Sequence, residues 1–287
     1  MKIAVIGNCQ ARSVAHSAEV MTGGTASIYG LAEVRSKDET FGAFMAQLAD
    51  ADVVLSLPFD NAIFAGADRH AIRRVSRQLV FYPYLTFTGQ QPDCTYVVQA
   101  DGRHAPGPLG PYHSALAAAA WCEGLSATRT AGLFNAFVFA GLGYFDEAPA
   151  EIAALHESLT AMGYDLSDFY SRPMMHTINH PRHDVLHELT RQALVKAGVT
   201  PRDQAKEVRD ILGLTWSWPI YPKIGERLGL EGSWGFQARA PQGDRLGSVF
   251  TLGQMIQRAF AAYNEASAQP SAPLIERARA LIRANVI

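Results

Sequence analysis

The chain opens on Lys2-Ile3-Ala4-Val5-Ile6-Gly7-Asn8-Cys9-Gln10, an apolar run that halts at a glycine and hands a cysteine to a turn. Ile3, Val5 and Ile6 make the unbroken hydrophobic stretch of a strand buried on both faces of a parallel sheet. From Ala11 to Met21, residues Val14, Ala15, Ala18 and Val20 recur at near-helical spacing. Strand, turn and helix in that order predict a βα unit with Cys9 at the carboxyl end of the strand. That is the edge where open α/β sheets bind ligands. There a thiol faces peptide N–H groups and the positive end of the helix dipole, which predicts a lowered pKa and an available thiolate. The competing reading is packing, since a free cysteine usually behaves as a small buried hydrophobe. The polar neighbours Asn8 and Gln10 favour a functional residue.

Two further apolar runs read as strands, Ala51–Leu57 stopped by Pro58 and Gln78–Tyr82 stopped by Pro83. Between them Asp68–Arg77 reads as a helix with arginines on its polar sides. Strands alternating with helices predict an α/β fold built on a parallel, doubly wound sheet. Thr95–Gln99 reads as one more strand, and Asp101–Tyr112 as a loop rich in glycine and proline. From His113 onward the pattern turns helical, over Ser114–Glu123, Glu147–Met162, Pro181–Lys196, Asp203–Leu212, Leu252–Ala266 and Leu274–Ala284. Pro181 suits a first helical turn and Gly198 the end of the same helix. Glu231–Leu246 reads as a loop. The expected organisation is a core over residues 1–112 carrying the Cys9 turn. A largely helical C-terminal half over 113–287 then contributes His180 and integrates with the core.

A chain of 287 residues allows one large domain or two modest ones. With 48% hydrophobic and 18% charged residues it reads as a soluble globular protein. Its net charge of −2 gives no electrostatic case for nucleic acid or an acidic membrane surface. No apolar run reaches membrane-spanning length. The apolar start ends at Gly7 with no cleavage-like region behind it, so it reads as no signal peptide and a cytoplasmic protein is expected. Cys9, Cys94 and Cys122 lack metal-type spacing, and an odd count argues against a disulfide framework. His183 and His187 are four apart without an H-E-x-x-H pattern, so no metal is expected. No Gly-x-Gly-x-x-Gly or Walker pattern supports a nicotinamide or nucleoside triphosphate site.

Gly7-Asn8-Cys9-Gln10 resembles the signature of the WcbI family, acyltransferases of capsular polysaccharide biosynthesis. Other segments are similar in kind and order: Tyr82-Pro83, Phe87-Thr88-Gly89, Pro92-Asp93, Gly110-Pro111-Tyr112-His113-Ser114 and Asn179-His180-Pro181. The resemblance implies a fold partly similar to the SGNH hydrolases, coenzyme A or acetyl-coenzyme A as ligand, and acetyl transfer to a carbohydrate acceptor.

A cysteine nucleophile needs a base nearby and donors for the oxyanion. His180 is the leading base, because His180-Pro181 resembles the end of the D-x-x-H-P block of SGNH hydrolases. Thr177 stands where that block has aspartate. A thiol ionises more readily than a serine hydroxyl, so a Cys9/His180 pair can dispense with the third member. The alternative for His180 is to cap the helix beginning at Pro181. Asp184-Val185-Leu186-His187 also fits D-x-x-H but reads as a solvated pair on one helix face. Asn61, after the second strand, is either an oxyanion donor or a turn former. The backbone near Cys9 and the Asn8 and Gln10 amides are alternative donors. Ser114 is either a helix N-cap or, with His113, a pocket residue, and His113 is the reserve base. Tyr82 either lines the pocket or packs at a strand end. Arg12, one turn from Cys9, is the candidate for a coenzyme A phosphate. Arg73, Arg74, Arg77 and Lys223 read as surface charge. Acyl transfer to a sugar competes with two readings, a thioesterase or carbohydrate esterase and a non-catalytic sugar- or nucleotide-binding protein.

Overall fold

A computed structural model describes residues 1–30, 41–59, 69–99, 101–202, 208–241, 245–266 and 270–285. Along the chain run β1 (Lys2–Gly7), α1 (Ala11–Thr22), β2 (Thr25–Gly30), α2 (Phe41–Asp50), β3 (Val53–Ser56), α3 (Arg69–Val75) and β4 (Leu79–Phe81). Next come β5 (Cys94–Tyr96), β6 (Tyr112–Ser114), α4 (Ala115–Cys122), α5 (Ala127–Gly132), α6 (Ala136–Gly141) and α7 (Glu147–Ala161). The chain closes with β7 (Met175–Thr177), β8 (His180–Pro181), α8 (His183–Lys196), α9 (Pro222–Leu228), β9 (Phe236–Arg239), β10 (Leu246–Phe250), α10 (Leu252–Ala266) and α11 (Pro273–Asn285). Two compact units share these elements. One comprises Met1–Leu85, His156–Asp168 and His180–Leu212; the other Thr86–Leu155, Phe169–Asn179 and Gly213–Ile287.

The first unit is mixed α/β around a four-stranded parallel sheet in the order β2-β1-β3-β4. β1 lies inside it, with Ile3 opposite both Ala26 and Val53, and so Ile3–Ile6 are buried without alternation. On one face Ala4, Ile6 and Val54 pack against Phe44 and Leu48 of α2 and Ile72 of α3. Truncating Leu48 to alanine in such a layer costs about 2–5 kcal/mol. On the other side α1 lies along β1 and β2, and α8 packs against α1 and reaches β4. α1 ends because Gly23 adopts φ +66°, a left-handed conformation that glycine takes at no steric cost, and returns its N–H to Glu19 O at 2.8 Å.

In the second unit β5 and β6 pair antiparallel, Cys94 opposite Ser114 and Tyr96 opposite Tyr112. The strand expected at Thr95–Gln99 is therefore not a member of the parallel sheet. β6 leads into α4, whose residues Ala115–Ala120 are all buried. Side chains this small let α11 and α10 pack close to it. An aromatic cluster fills the rest: Phe139 stacks on Tyr221 with ring centroids 5.7 Å apart, and Phe134 and Trp234 meet Tyr221 from other sides.

Several expectations need correction. Of the helix expected over Asp203–Leu212, residues 203–207 lie outside the described residues; 208–211 are not helical, and Leu212 opens a short 3-10 turn. The loop expected over Glu231–Leu246 contains β9 and pairs it antiparallel with β10. Pro181 sits in β8 rather than in a first helical turn; Arg182, in extended conformation, precedes α8 as its cap position. No helix among the described residues is long and apolar enough to cross a membrane.

Candidate functional site

The turn between β1 and α1 is organised by Asn8. Its carbonyl oxygen accepts Ala11 N–H at 3.0 Å, and its Oδ1 accepts Gln10 N–H at 3.1 Å. The Cys9 thiol points to the same Oδ1 at 3.9 Å. Gln10 is the cap position of α1 and lends no side-chain cap; its carbonyl takes the N–H groups of Ser13 and Val14. An asparagine holding its own backbone two residues on fixes a sharp turn, and Cys9 is left exposed at its apex.

The peptide groups of Cys9 and Gln10 and the side chain of Tyr84 pull the Cys9 pKa down. They favour the thiolate. Desolvation by the surrounding protein outweighs them and pushes the thiol above its usual range, against the lowering expected from the sequence.

The segment that carries Tyr84 is fastened on both sides. The Tyr82 hydroxyl donates to Ile6 O at 3.2 Å. Gln10 Nε2 donates to Leu85 O at 2.7 Å, and Leu85 N–H donates to Gln10 Oε1 at 3.2 Å. Gly7 makes room for this closure, since a Cβ there would collide with the Tyr82 hydroxyl. Gln10 and Tyr82 are fully buried, and burial pushes the Tyr82 hydroxyl strongly up, with lesser help from charge on Cys9. Both are thus committed to the backbone. Tyr84 was not among the residues singled out from the sequence. Arg12 stands exposed in the first turn of α1, and Asn61 lies outside the described residues.

His180 belongs to the same unit as Cys9 and is buried in β8, three residues before α8. Past α8, Arg202 N–H donates to Met21 O at 2.8 Å, at the carboxyl end of α1. The Asp184/His187 pair is not solvated as expected, because His187 is buried on the packed face of α8. Asp184 Oδ1 accepts the N–H of Val185. Thr177 is buried in the other unit, where its hydroxyl donates to Asn179 Oδ1 at 3.2 Å; Tyr112 O–H donates to the same atom at 2.5 Å.

His113 and Ser114 also belong to the second unit. The His113 ring lies 3.1 Å from the Tyr263 hydroxyl through Nδ1 and 2.9 Å from Ala105 O through Nε2; burial lowers its pKa. Ser114 is the N-cap of α4, its Oγ accepting Ala117 N–H at 2.9 Å. Beside it Asp93 is fully buried. Its carboxylate takes Leu116 N–H and the hydroxyls of Tyr144, Tyr221 and Ser114. Arg77 pairs with Asp52 and Lys223 with Glu226, as surface charges do. Among the described residues no group of three or more histidines, cysteines and carboxylates is placed to hold a metal.

Residues 2–202 match the family model described as the polysaccharide biosynthesis enzyme WcbI. A solved structure of WcbI, described as a novel polysaccharide biosynthesis enzyme, is similar with a TM-score of 0.65 and 14% identity. The likeness covers 99% of this chain and 95% of that one. That structure is the native protein without a disulfide bond between coenzyme A and one of its own cysteines. No curated protein matches the chain.

Proposed function

This chain belongs to the WcbI family of polysaccharide biosynthesis enzymes, and from that premise we propose that it is an acyltransferase. It takes an acyl group, acetyl in the simplest case, from coenzyme A and delivers it to a carbohydrate hydroxyl, with Cys9 and His180 at the centre. The observation that carries the reading is the Cys9 turn: an exposed cysteine at the carboxyl edge of a parallel sheet, where the peptide groups of Cys9 and Gln10 and the side chain of Tyr84 favour the thiolate. Such donors suit a thiolate, or the oxyanion of a thioester under attack. The description of the similar WcbI structure sets coenzyme A beside a cysteine, which supports the same ligand here.

In this reading His180 removes the Cys9 proton, a task made necessary by the crowding that holds the thiol up. The thiolate adds to the thioester carbonyl, the bond to coenzyme A sulfur breaks, and the leaving thiolate takes the proton from His180. A sugar hydroxyl then attacks the acylated Cys9, giving its proton to His180 and from there to the departing sulfur. Two observations support the placement of His180. α8 packs beside α1, and the chain leaving α8 is tied to the far end of α1, at Met21. The proposed pair thus has Cys9 just before α1 and His180 just before α8. Arg12 and the amino-terminal end of α1 favour a phosphate of coenzyme A.

The raised thiol also favours a second route, in which Cys9 stays protonated and His180 activates the sugar hydroxyl for direct attack. One experiment tests both. The protein is incubated with acetyl-coenzyme A, with and without a panel of mono- and oligosaccharides, and the Cys9 peptide is weighed. Release of coenzyme A that depends on added carbohydrate is expected, and an acetylated Cys9 peptide marks the covalent route. Release without carbohydrate would make the protein a hydrolase. Absence of any coenzyme A release, with or without carbohydrate, would overturn the proposal.

A further inference from the structure

We infer that Tyr84 is the positioning residue of Cys9, its phenolic O–H donating to the sulfur. Geometry carries this. Tyr84 follows β4 in a segment fixed at Tyr82 to the carbonyl of Ile6 and at Leu85 to the side chain of Gln10. The anchor points Ile6 and Gln10 are the residues that bracket the Cys9 turn. The segment is thus held to the turn on both sides of Tyr84, and the phenol has little freedom left. Its neighbours Tyr82 and Leu85 are buried, whereas Tyr84 is 39% exposed and stands with Cys9 at the solvent boundary. A half-exposed phenol between two buried anchors is held beside the Cys9 turn, and it favours the Cys9 thiolate.

The Tyr84 O–H gives a hydrogen bond to the thiolate when the proton leaves Cys9, and again when Cys9 sulfur departs from an acyl group. No proton leaves the phenol in either step. Only this second consequence rests on the acyl-transfer reading above.

The test is the pH dependence of iodoacetamide alkylation, read on the Cys9 peptide by mass spectrometry, in the full chain and in Tyr84→Phe. Tyr84→Phe removes one hydrogen bond to a partly solvated thiolate. The rate at pH 7 should therefore fall about threefold to tenfold. The limiting rate at high pH, where the sulfur is fully ionised, should not change. Tyr164→Phe is the control: its hydroxyl holds the nearby carbonyl of Phe81 at 2.7 Å, and its curve should overlay the native one. An unchanged curve for Tyr84→Phe overturns the inference. So does an equal shift in Tyr164→Phe, or a change confined to the limiting rate, which would mean altered access. No acyl donor enters this assay. A shifted curve beside a silent transfer assay retains the role of Tyr84 and discards acyl transfer; the reverse result discards Tyr84 alone.

Discussion

Gln10 and Leu85 lie 75 positions apart and are joined as two strands would be, side-chain amide to backbone amide in both directions. The pair is buried, so neither bond can be replaced by water. The βα turn and the segment after β4 are consequently one structural piece.

Gln10→Ala leaves the N–H and C=O of Leu85 buried without their partner, and should lower stability by about 1–3 kcal/mol. Gln10→Glu places a carboxylate against the Leu85 carbonyl in a buried site, and should cost at least as much at neutral pH. Urea denaturation followed by circular dichroism ranks the three proteins. An alanine variant as stable as the native chain would mean that the pair carries no net stabilisation.

Gly7 is needed for closeness rather than for an unusual dihedral angle. A methyl group there meets the Tyr82 hydroxyl, so Gly7→Ala should cost about 1–3 kcal/mol as an overpacked site. In a Tyr82→Phe background the same substitution should cost less, because the oxygen it strikes is gone. A double-mutant cycle on thermal midpoints reads the coupling, and simple additivity would count against the contact.

Asp93 gives a pH signature. Burial raises its carboxyl from the ordinary aspartate value of 3.8 to about 6, against four donors that pull the other way. The folded state thus holds this proton more tightly than the unfolded chain. The contribution of Asp93 is fully present below about 3.8 and is lost as pH rises through about 6. Asp93→Asn, which mimics the protonated acid, should remove that decline. The difference in unfolding free energy between the two proteins, measured from pH 4 to pH 7, should tilt towards the variant as pH rises. A flat difference would show that the carboxyl is not perturbed.

If Cys9 and His180 serve one step, His180→Ala should reduce kcat/KM by about 10²–10⁴, as removal of a general base does. Cys9→Ser should lose a comparable factor, and the double variant should be little worse than either. Losses that multiply would assign the two residues to separate steps and favour the direct route. Coenzyme A affinity, measured by calorimetry, should survive in all three.

The parallel sheet was legible where strands are buried on both faces. β1, β3 and β4 announce themselves as unbroken apolar runs, stopped by Gly7, Pro58 and Pro83. β2 does not, because Thr25–Gly30 is an edge strand, partly exposed along its length, and needs no hydrophobic pattern to be held by β1. The hairpin of β9 and β10 escaped for a similar reason: Leu246 and Val249 face outward, and glycines inside the segment read as loop. Pro181 misled because proline suits a strand end as well as a first helical turn. At the candidate site, the Cys9 turn follows from neighbouring residues alone. Tyr84 follows from a pairing of Gln10 with Leu85, which leaves no local mark. Ser114 proved to be the N-cap that its position before an alanine-rich run suggests.

The crowding around Cys9 has a consequence for the resting protein. Oxidants attack the thiolate, not the thiol. A thiol held protonated at neutral pH, in a residue that is itself exposed, is a slow target for peroxide and for stray disulfides. The groups that favour the thiolate act only once the proton has gone. In the proposed mechanism such a cysteine stays chemically quiet until His180 draws the proton away, so protection from oxidative damage and readiness for reaction would reside in the same few atoms.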